Sequence, residues 1–287
     1  CDVGMLVVKG VSVANPWSVW HNDFTGNANY IILNSNDQAY SNGESRFGNN
    51  STYINPTSSN FTVGTALNDS GETYVAYLYA HNNGDGEFGP NSDQDIIKCG
   101  GYTPNSSADA TINLGFEPQL VLFKTTTGSG NWKIIDAMRG FEAKRTYYAP
   151  SSFSLAANSA NVEVAQDNIY LTPTGFKHVS GFANEDIIYI AIRRGSLNVP
   201  ESATDVFAID TWGGGPPMYT SGFPVDFSFA KGTTTSGGYT FERLTNKYKG
   251  LDDDRFEGTT GYIKFDYMDG WGFSTNNEPN FYGYMWK

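Results

Sequence analysis

Leu120-Val121-Leu122-Phe123-Lys124 is a short apolar run closed by a lysine, and the chain writes that run three times. Met5–Val8 leads into Lys9, and Phe227–Ala230 leads into Lys231. Eight residues after each lysine stands an aromatic: Trp17, Trp132 and Tyr239. Phe61 and Phe176 each lie 52 residues past their lysine, and Tyr74 and Tyr189 each lie 65 past. Four matched positions without drift over 65 residues define an internal repeat in copies one and two. Copy three is shorter, with Trp271-Gly272-Phe273 and Phe281–Trp286 as its counterparts.

The runs around these positions read as strands. Tyr74–Tyr79 and Ile187–Ile192 are continuous apolar segments of strand length, as expected for strands buried in a sandwich core. In copy two the pattern predicts strands at Ile96–Tyr102, Ala110–Leu114, Leu120–Lys124, Trp132–Asp136, Arg145–Ala149, Ile169–Leu171, Gly175–Val179 and Ile187–Arg193. Gly, Asn, Asp and Pro separate them, supplying the turn conformations that short antiparallel strands need. Helix signals are nearly absent; the best, Asn158–Gln166, carries no apolar stripe at helical spacing. A propeller blade repeats every ~40–50 residues, whereas these copies are spaced by 115 and 107. The expected fold is therefore all-β, with three tandem antiparallel β-sandwich (jelly-roll or concanavalin A-like) modules at residues 1–92, 93–200 and 201–287. Joints are placed in Asn82–Asp93 and Leu197–Thr204.

Composition narrows the function classes. A net charge of −12 argues against nucleic acid as a partner, since phosphate binding relies on Lys and Arg. No stretch approaches the ~20 apolar residues of a membrane-spanning helix. Two cysteines make no disulfide framework, and Cys99, inside a strand-like run, is expected to be a buried small hydrophobe. A chain opening on Cys1 could be a lipid-modified protein. Copy one, however, lacks the lead-in strands that precede the lysine run of copy two, so the first module is expected to begin incomplete.

Few constellations suggest chemistry. Asp85, Glu87, Asp93 and Asp95 crowd a Gly-rich loop of a kind that can hold Ca²⁺, although the spacing departs from the EF-hand; the alternative is a solvated turn. Calcium is the single cofactor considered. Asp252-Asp253-Asp254 is expected to be a solvated loop, because adjacent side chains diverge. His21, His81 and His178 with two cysteines give no zinc spacing. No nucleophile elbow or phosphate-cradling loop is present, and Asp136, Asp210 and Glu242 have no reason to meet as a hydrolytic pair. Trp17 and Trp132 sit at repeat-equivalent places and read as core anchors. Trp20 and Trp212 are freer of the repeat and are the candidates for a surface sugar-stacking role. Arg193-Arg194 ends an apolar run and is expected to pair with nearby carboxylates.

Asp85-Gly86-Glu87-Phe88-Gly89-Pro90 through Asp93–Gly100, then Gly115-Phe116-Glu117-Pro118-Gln119, carry a resemblance, as do Ile188–Gly195 and Tyr77-Leu78-Tyr79-Ala80. The chain resembles the tandem repeats of large structural proteins of marine tailed bacteriophages, cyanophages among them. Copy three departs from it: Tyr239 replaces the tryptophan, and Lys231 and Phe273 are ten residues closer than the matching pair in copy two. The resemblance implies a β-rich virion or tail-associated protein on the extracellular particle surface, with no catalytic residues to transfer. It points to a fibre or adhesin that displays loops to a host-surface glycan. The expected partners are other virion proteins, that glycan and further copies of the chain in a homo-oligomer, with neither nucleic acid nor membrane insertion. The expectation is thus a non-enzyme; a stand-alone lectin and a polysaccharide depolymerase are the alternatives.

Overall fold

The computed structural model describes residues 2–24, 29–139, 141, 152–166, 168–195, 200–233, 238–243, 247–251, 258–259, 263–265, 267–273 and 281–287. Among these there is no α-helix, only strands and four short 3-10 turns, and the paired strands run antiparallel. The protein is all-β. In chain order the first strands are β1 (Asp2–Gly10), β2 (Ser18–His21), β3 (Ile31–Ile32), β4 (Tyr74–His81), β5 (Ile97–Tyr102), β6 (Ala110–Asn113) and β7 (Pro118–Thr125). Next come β8 (Lys133–Asp136), β9 (Ser152–Ala156), β10 (Val164–Gln166), β11 (Ile169–Thr172), β12 (Gly175–His178) and β13 (Ile187–Arg193). The last segment holds β14 (Phe207–Thr211), β15 (Tyr219–Thr220), β16 (Phe227–Gly232), β17 (Gly238–Glu242) and β18 (Lys247–Gly250). It ends with β19 (Gly258–Thr259), β20 (Ile263–Lys264), β21 (Gly270–Phe273) and β22 (Phe281–Trp286).

The strands fall into two compact units. Unit 1 comprises residues 1–135, 154–164 and 174–194, and unit 2 comprises 136–153, 165–173 and 195–287. Unit 1 holds one sheet of order β3-β2-β1-β4 and another in which β8-β7-β13-β5 are successive neighbours. Unit 2 holds β14-β22-β16-β17-β18-β19. The lysine strand (β1, β7, β16) is central each time, flanked by the next strand in sequence (β2, β8, β17) and by the closing strand (β4, β13, β22). The repeat read from three lysines is thus a repeat of sheet order.

Copies one and two share a core within unit 1. Along β1, Met5 and Val7 point to one side and Leu6 and Val8 to the other, the period-two alternation of a strand. Met5 and Val7 join Val19, Ile31, Cys99, Trp132, Ile188 and Ile190 in one apolar cluster. The division near residue 92 therefore separates segments that pack together. Leu6, Val8 and Trp20 join Phe47 and Leu67 in a second cluster. Cys99 lies buried, and a Cβ on Gly4 would come within 2.6 Å of its Sγ, so glycine there permits the close approach. Burial pushes the Cys99 thiol up to about 12, making it inert packing as expected. The opposite face of β13 carries Tyr189, edge-on to Phe176 of β12 at 5.4 Å. Strand β12 in turn pairs with β6, from Gly175 opposite Asn113 to His178 opposite Ala110.

The structure refines the sequence reading. Tyr74 and Tyr189 match in spacing, yet the ladders place Tyr74 opposite Gly10 and Ile187 opposite Thr125, the residues after the two lysines. Tyr74 thus aligns with Ile187, a two-residue displacement that leaves each side chain on its face because the strand period is two. Asn158–Gln166 forms no helix and contributes a turn and the short strand β10. Strand β9 was not foreseen, while the strand expected at Arg145–Ala149 lies outside the described residues, as do Cys1 and Asp252–Asp254. The other copy-two strands fall where periodicity places them, within a residue or two at each end.

Trp17 and Trp132 differ in depth. Trp132 is fully buried and donates its indole N–H to the Ile32 carbonyl at 2.9 Å, tying copy two to copy one. Trp17 is half-buried and stacks on Tyr77 at 6.1 Å. Trp132→Ala should therefore cost about 3–5 kcal/mol, the usual loss for a buried aromatic. Trp17→Ala should cost about 1–2 kcal/mol. Urea unfolding of both variants measures the difference, and equal losses would contradict this asymmetry.

Candidate functional site

The long connection from Leu33 to Thr73 carries no strand and is fixed by its polar side chains. Asn49 Oδ1 accepts the amides of Ser51 and Thr52 at 3.1 and 2.8 Å, and Asn50 Oδ1 accepts that of Thr65 at 2.7 Å. Asn50 adopts φ 71°, a left-handed conformation that asparagine tolerates. Arg46 donates to Ser18 Oγ at 2.6 Å and lies 4.6 Å over the Tyr30 ring. Phe47 and Leu67 plug the segment into the outer face of the first sheet.

This segment, β2, the start of β1 and the end of β4 line an open cleft of about 920 Å³. Trp20, Tyr53, Asn55, Glu44, His21 and Asn22 are among its walls. Trp20 does not form the surface platform expected of it. It is 4% exposed and packed among Leu6, Val8, Phe47 and Leu67, because the loop covers a sheet face that would otherwise meet water. What it offers the cleft is an edge, with its indole N–H donated to Asn55 Oδ1 at 3.3 Å. Tyr53 donates its hydroxyl to the Asn29 carbonyl at 2.9 Å, and burial raises its pKa above the ordinary phenol value.

His21 is locked neutral in the same wall. Its Nδ1 accepts the Asp23 amide at 3.1 Å, so Nε2 carries the proton toward the Tyr189 carbonyl at 3.0 Å. Burial lowers its pKa to about 4 from the ordinary 6.5. His178 repeats the arrangement: Tyr102 donates its hydroxyl to Nδ1 at 2.9 Å, Nε2 faces the Ser180 carbonyl at 2.7 Å, and burial again lowers the pKa.

A second cleft of about 470 Å³ shares Phe24 with the first and holds Asp23, Asp186, Thr103 and Thr126. Asp186 accepts the Thr103 hydroxyl at 2.6 Å. Asp23 fills the space left by Gly101, where a Cβ would stand 1.7 Å from Oδ2. Burial, then the charge of Asp186, raise the Asp23 carboxyl above its usual range.

The other sequence candidates lie elsewhere. Trp212 is half-buried against the core of unit 2, edge-on to Tyr219 at 6.2 Å, so it and Trp20 belong to different units. Asp85, Glu87 and Asp93 are exposed, whereas Asp95 spends both oxygens on the amides of Gly84 and Gly86, each at 2.8 Å. The four do not gather as metal ligands: among the described residues no three His, Cys, Asp or Glu side chains come together to hold an ion. Asp95 shapes the turn, and Asp85 does likewise by accepting the Asn83 amide at 2.8 Å. Asp136 pairs with Arg139, and Asp210 accepts the amides of Thr211 and Thr220. Arg194 meets Glu117 at 3.4 Å, as the strand-end reading expected. Tyr53, Asn55 and Glu44 escaped the sequence reading; the one available sign was the Asn49-Asn50-Ser51-Thr52 turn signature beside an aromatic.

The histidine geometry has a pH consequence. A group whose proton affinity falls on folding stabilises the fold above its unfolded pKa. The His21 contribution is therefore complete above about 6.5 and is lost as pH falls toward 4. Unfolding free energy should drop by up to about 3 kcal/mol across that window. Nitrogen-15 NMR should find the Nε2–H tautomer persisting to about pH 4; titration near 6.5 would refute the assignment.

Neither the curated proteins nor the solved structures searched give a match. A family model does match, over residues 2–191, a span that runs through copies one and two. The chain belongs to that family, described as Domain of unknown function (DUF7483).

Proposed function

We propose that this chain is a structural and interaction protein of a phage virion, a fibre or tail-associated adhesin whose loops attach to a host-surface glycan. The observation that carries the binding reading is the cleft walled by Trp20, Tyr53, Asn55 and Glu44. Sugars are held by planar polar groups that exchange hydroxyl hydrogen bonds and by apolar surface that meets pyranose C–H faces. The cleft combines both, and its volume lies within the ~300–1,000 Å³ usual for small-ligand sites. Rigid aromatic groups beside Asn, Ser and Thr also suit adaptable polar recognition at low entropic cost. The virion setting rests on the motif resemblance and on stiff antiparallel sheets suited to spacing loops from a particle.

A glycan array should return a saturable ligand, and Asn55→Ala, an exposed position, should weaken it about tenfold, or ~1.4 kcal/mol. A protein that neither binds glycans nor assembles with phage particles would end this reading. Depolymerase activity is the second reading, favoured by Asp23, whose raised carboxyl beside Asp186 suits a proton donor. It requires reducing-sugar release from capsular polysaccharide that Asp23→Asn abolishes; intact polysaccharide excludes it.

A further inference from the structure

Glu44 and Asp2 bring two carboxylates to the cleft around Trp20 and Tyr53, and no lysine or arginine stands among the described residues that line it. Its two histidines do not offset them. His21 Nδ1 accepts the Asp23 amide at 3.1 Å and His81 Nδ1 accepts the Cys99 amide at 3.3 Å, a role that an imidazolium cannot fill. The cleft is therefore a hydrogen-bonding surface with a negative bias.

Glu44 is fixed through its backbone and left free at its side chain. It sits in the turn Gly43–Ser45, where the Phe47 amide returns to the Gly43 carbonyl at 2.7 Å. The Asn50 amide closes on the Glu44 carbonyl at 3.0 Å, and Phe47 anchors the turn in the core. The half-buried Glu44 carboxylate has no hydrogen-bond or ion-pair partner among the described residues. Arg46, the nearest cation in sequence, is committed to Ser18 Oγ and to the Tyr30 ring. The charge of Glu44 reaches the cleft wall: burial raises the Tyr53 phenol above its ordinary pKa, and Glu44 adds to that rise. Asn55 supplies the opposite polarity. Its Oδ1 accepts the Trp20 indole N–H, which leaves its two amide N–H donors for a ligand.

We infer that Glu44 is a specificity-determining residue of this cleft, admitting uncharged and amino-bearing sugars and turning away sugars that carry a carboxylate. The inference rests on the glycan reading of the cleft and adds to it which glycans enter. A sugar hydroxyl can donate to Glu44 and accept from Asn55, and an ammonium pairs with Glu44 directly. A sugar carboxylate has no proton to offer, and it meets a like charge in a half-buried wall where salt screens poorly. Discrimination of this kind comes from the repulsive element as much as from the attractive one.

The test is a printed array of neutral, amino-bearing, sialylated and uronate-bearing glycans, read with the full chain at physiological salt. Retention should be confined to the neutral and amino-bearing members. The nitrogen-15 resonance of the Trp20 indole should shift with the best of them, placing the ligand in the cleft. Glu44→Gln keeps the shape and removes the charge, and it should raise retention of acidic glycans about tenfold. Glu201→Gln removes the same charge at an exposed position of unit 2 and should leave the profile unchanged. Acidic glycans retained as well as neutral ones by the unaltered chain overturn the inference alone. So does an equal gain in both variants, which would make the discrimination an effect of overall charge, and so does a bound glycan that leaves the Trp20 indole unmoved. An array on which nothing is retained overturns the glycan reading itself, and this inference with it.

Discussion

A strand buried on both faces can satisfy its backbone only sideways, through a neighbour in the plane of the sheet. Strands β1 and β13 live under that constraint, with apolar clusters on each side and a partner along each edge. It explains why their sequences are continuous apolar runs with little polar alternation. In all three sheets the lysine strand also has a neighbour along each edge. Strand β4 carries a similar run, Tyr74–Tyr79; it pairs with β1 along one edge and meets β5 near its end through the Cys99 amide on His81 Nδ1.

The same burial dictates how ionisable groups are handled. His21 and His178 are kept neutral, each accepting at one nitrogen and facing carbonyl oxygen with the other. Lys124 is buried as well; it donates to the Thr125 carbonyl at 2.8 Å, and desolvation draws its pKa down to about 8 against the pull of Asp37 and Glu185. Lys9 is half-buried on the Asn15 carbonyl, and Lys231 is exposed. One residue type at three equivalent positions therefore meets three environments. A repeated letter marks a place in the sheet and leaves the chemistry of that place open.

Much of the fold was legible because strand patterning is local. Ile187–Arg193 was read to the residue, and the lysine spacing located the central strand of each sheet. Register was less legible: a two-residue slip preserves every face, so the matched tyrosines could not reveal it. The candidate site was the least legible part. Sequence alone suits Trp20 to a surface, but its fate depends on a connection of some forty residues whose Asn side chains fold it back over the sheet. No period in the sequence announces such a contact. The Asp95 loop stays ambiguous in sequence for the converse reason, since a carboxylate that builds a turn and one that awaits a cation look alike until their hydrogen bonds are counted.

The family match bears on where one domain ends. Its span runs without a break across the boundary drawn at residues 92 and 93, and the apolar cluster does the same, joining Met5 and Val7 to Cys99, Ile188 and Ile190. Trp132 reinforces the join with a hydrogen bond to Ile32. Sequence similarity between the copies is thus a different matter from independence between them. Two copies that bury one face against each other must each cover the opposite face by other means. Copy two does so with the β12–β6 ladder, and copy one with the Leu33–Thr73 connection. The cleft around Trp20 and Tyr53 exists because the second solution is a loop, whose polar side chains leave room that a sheet laid on a sheet would close.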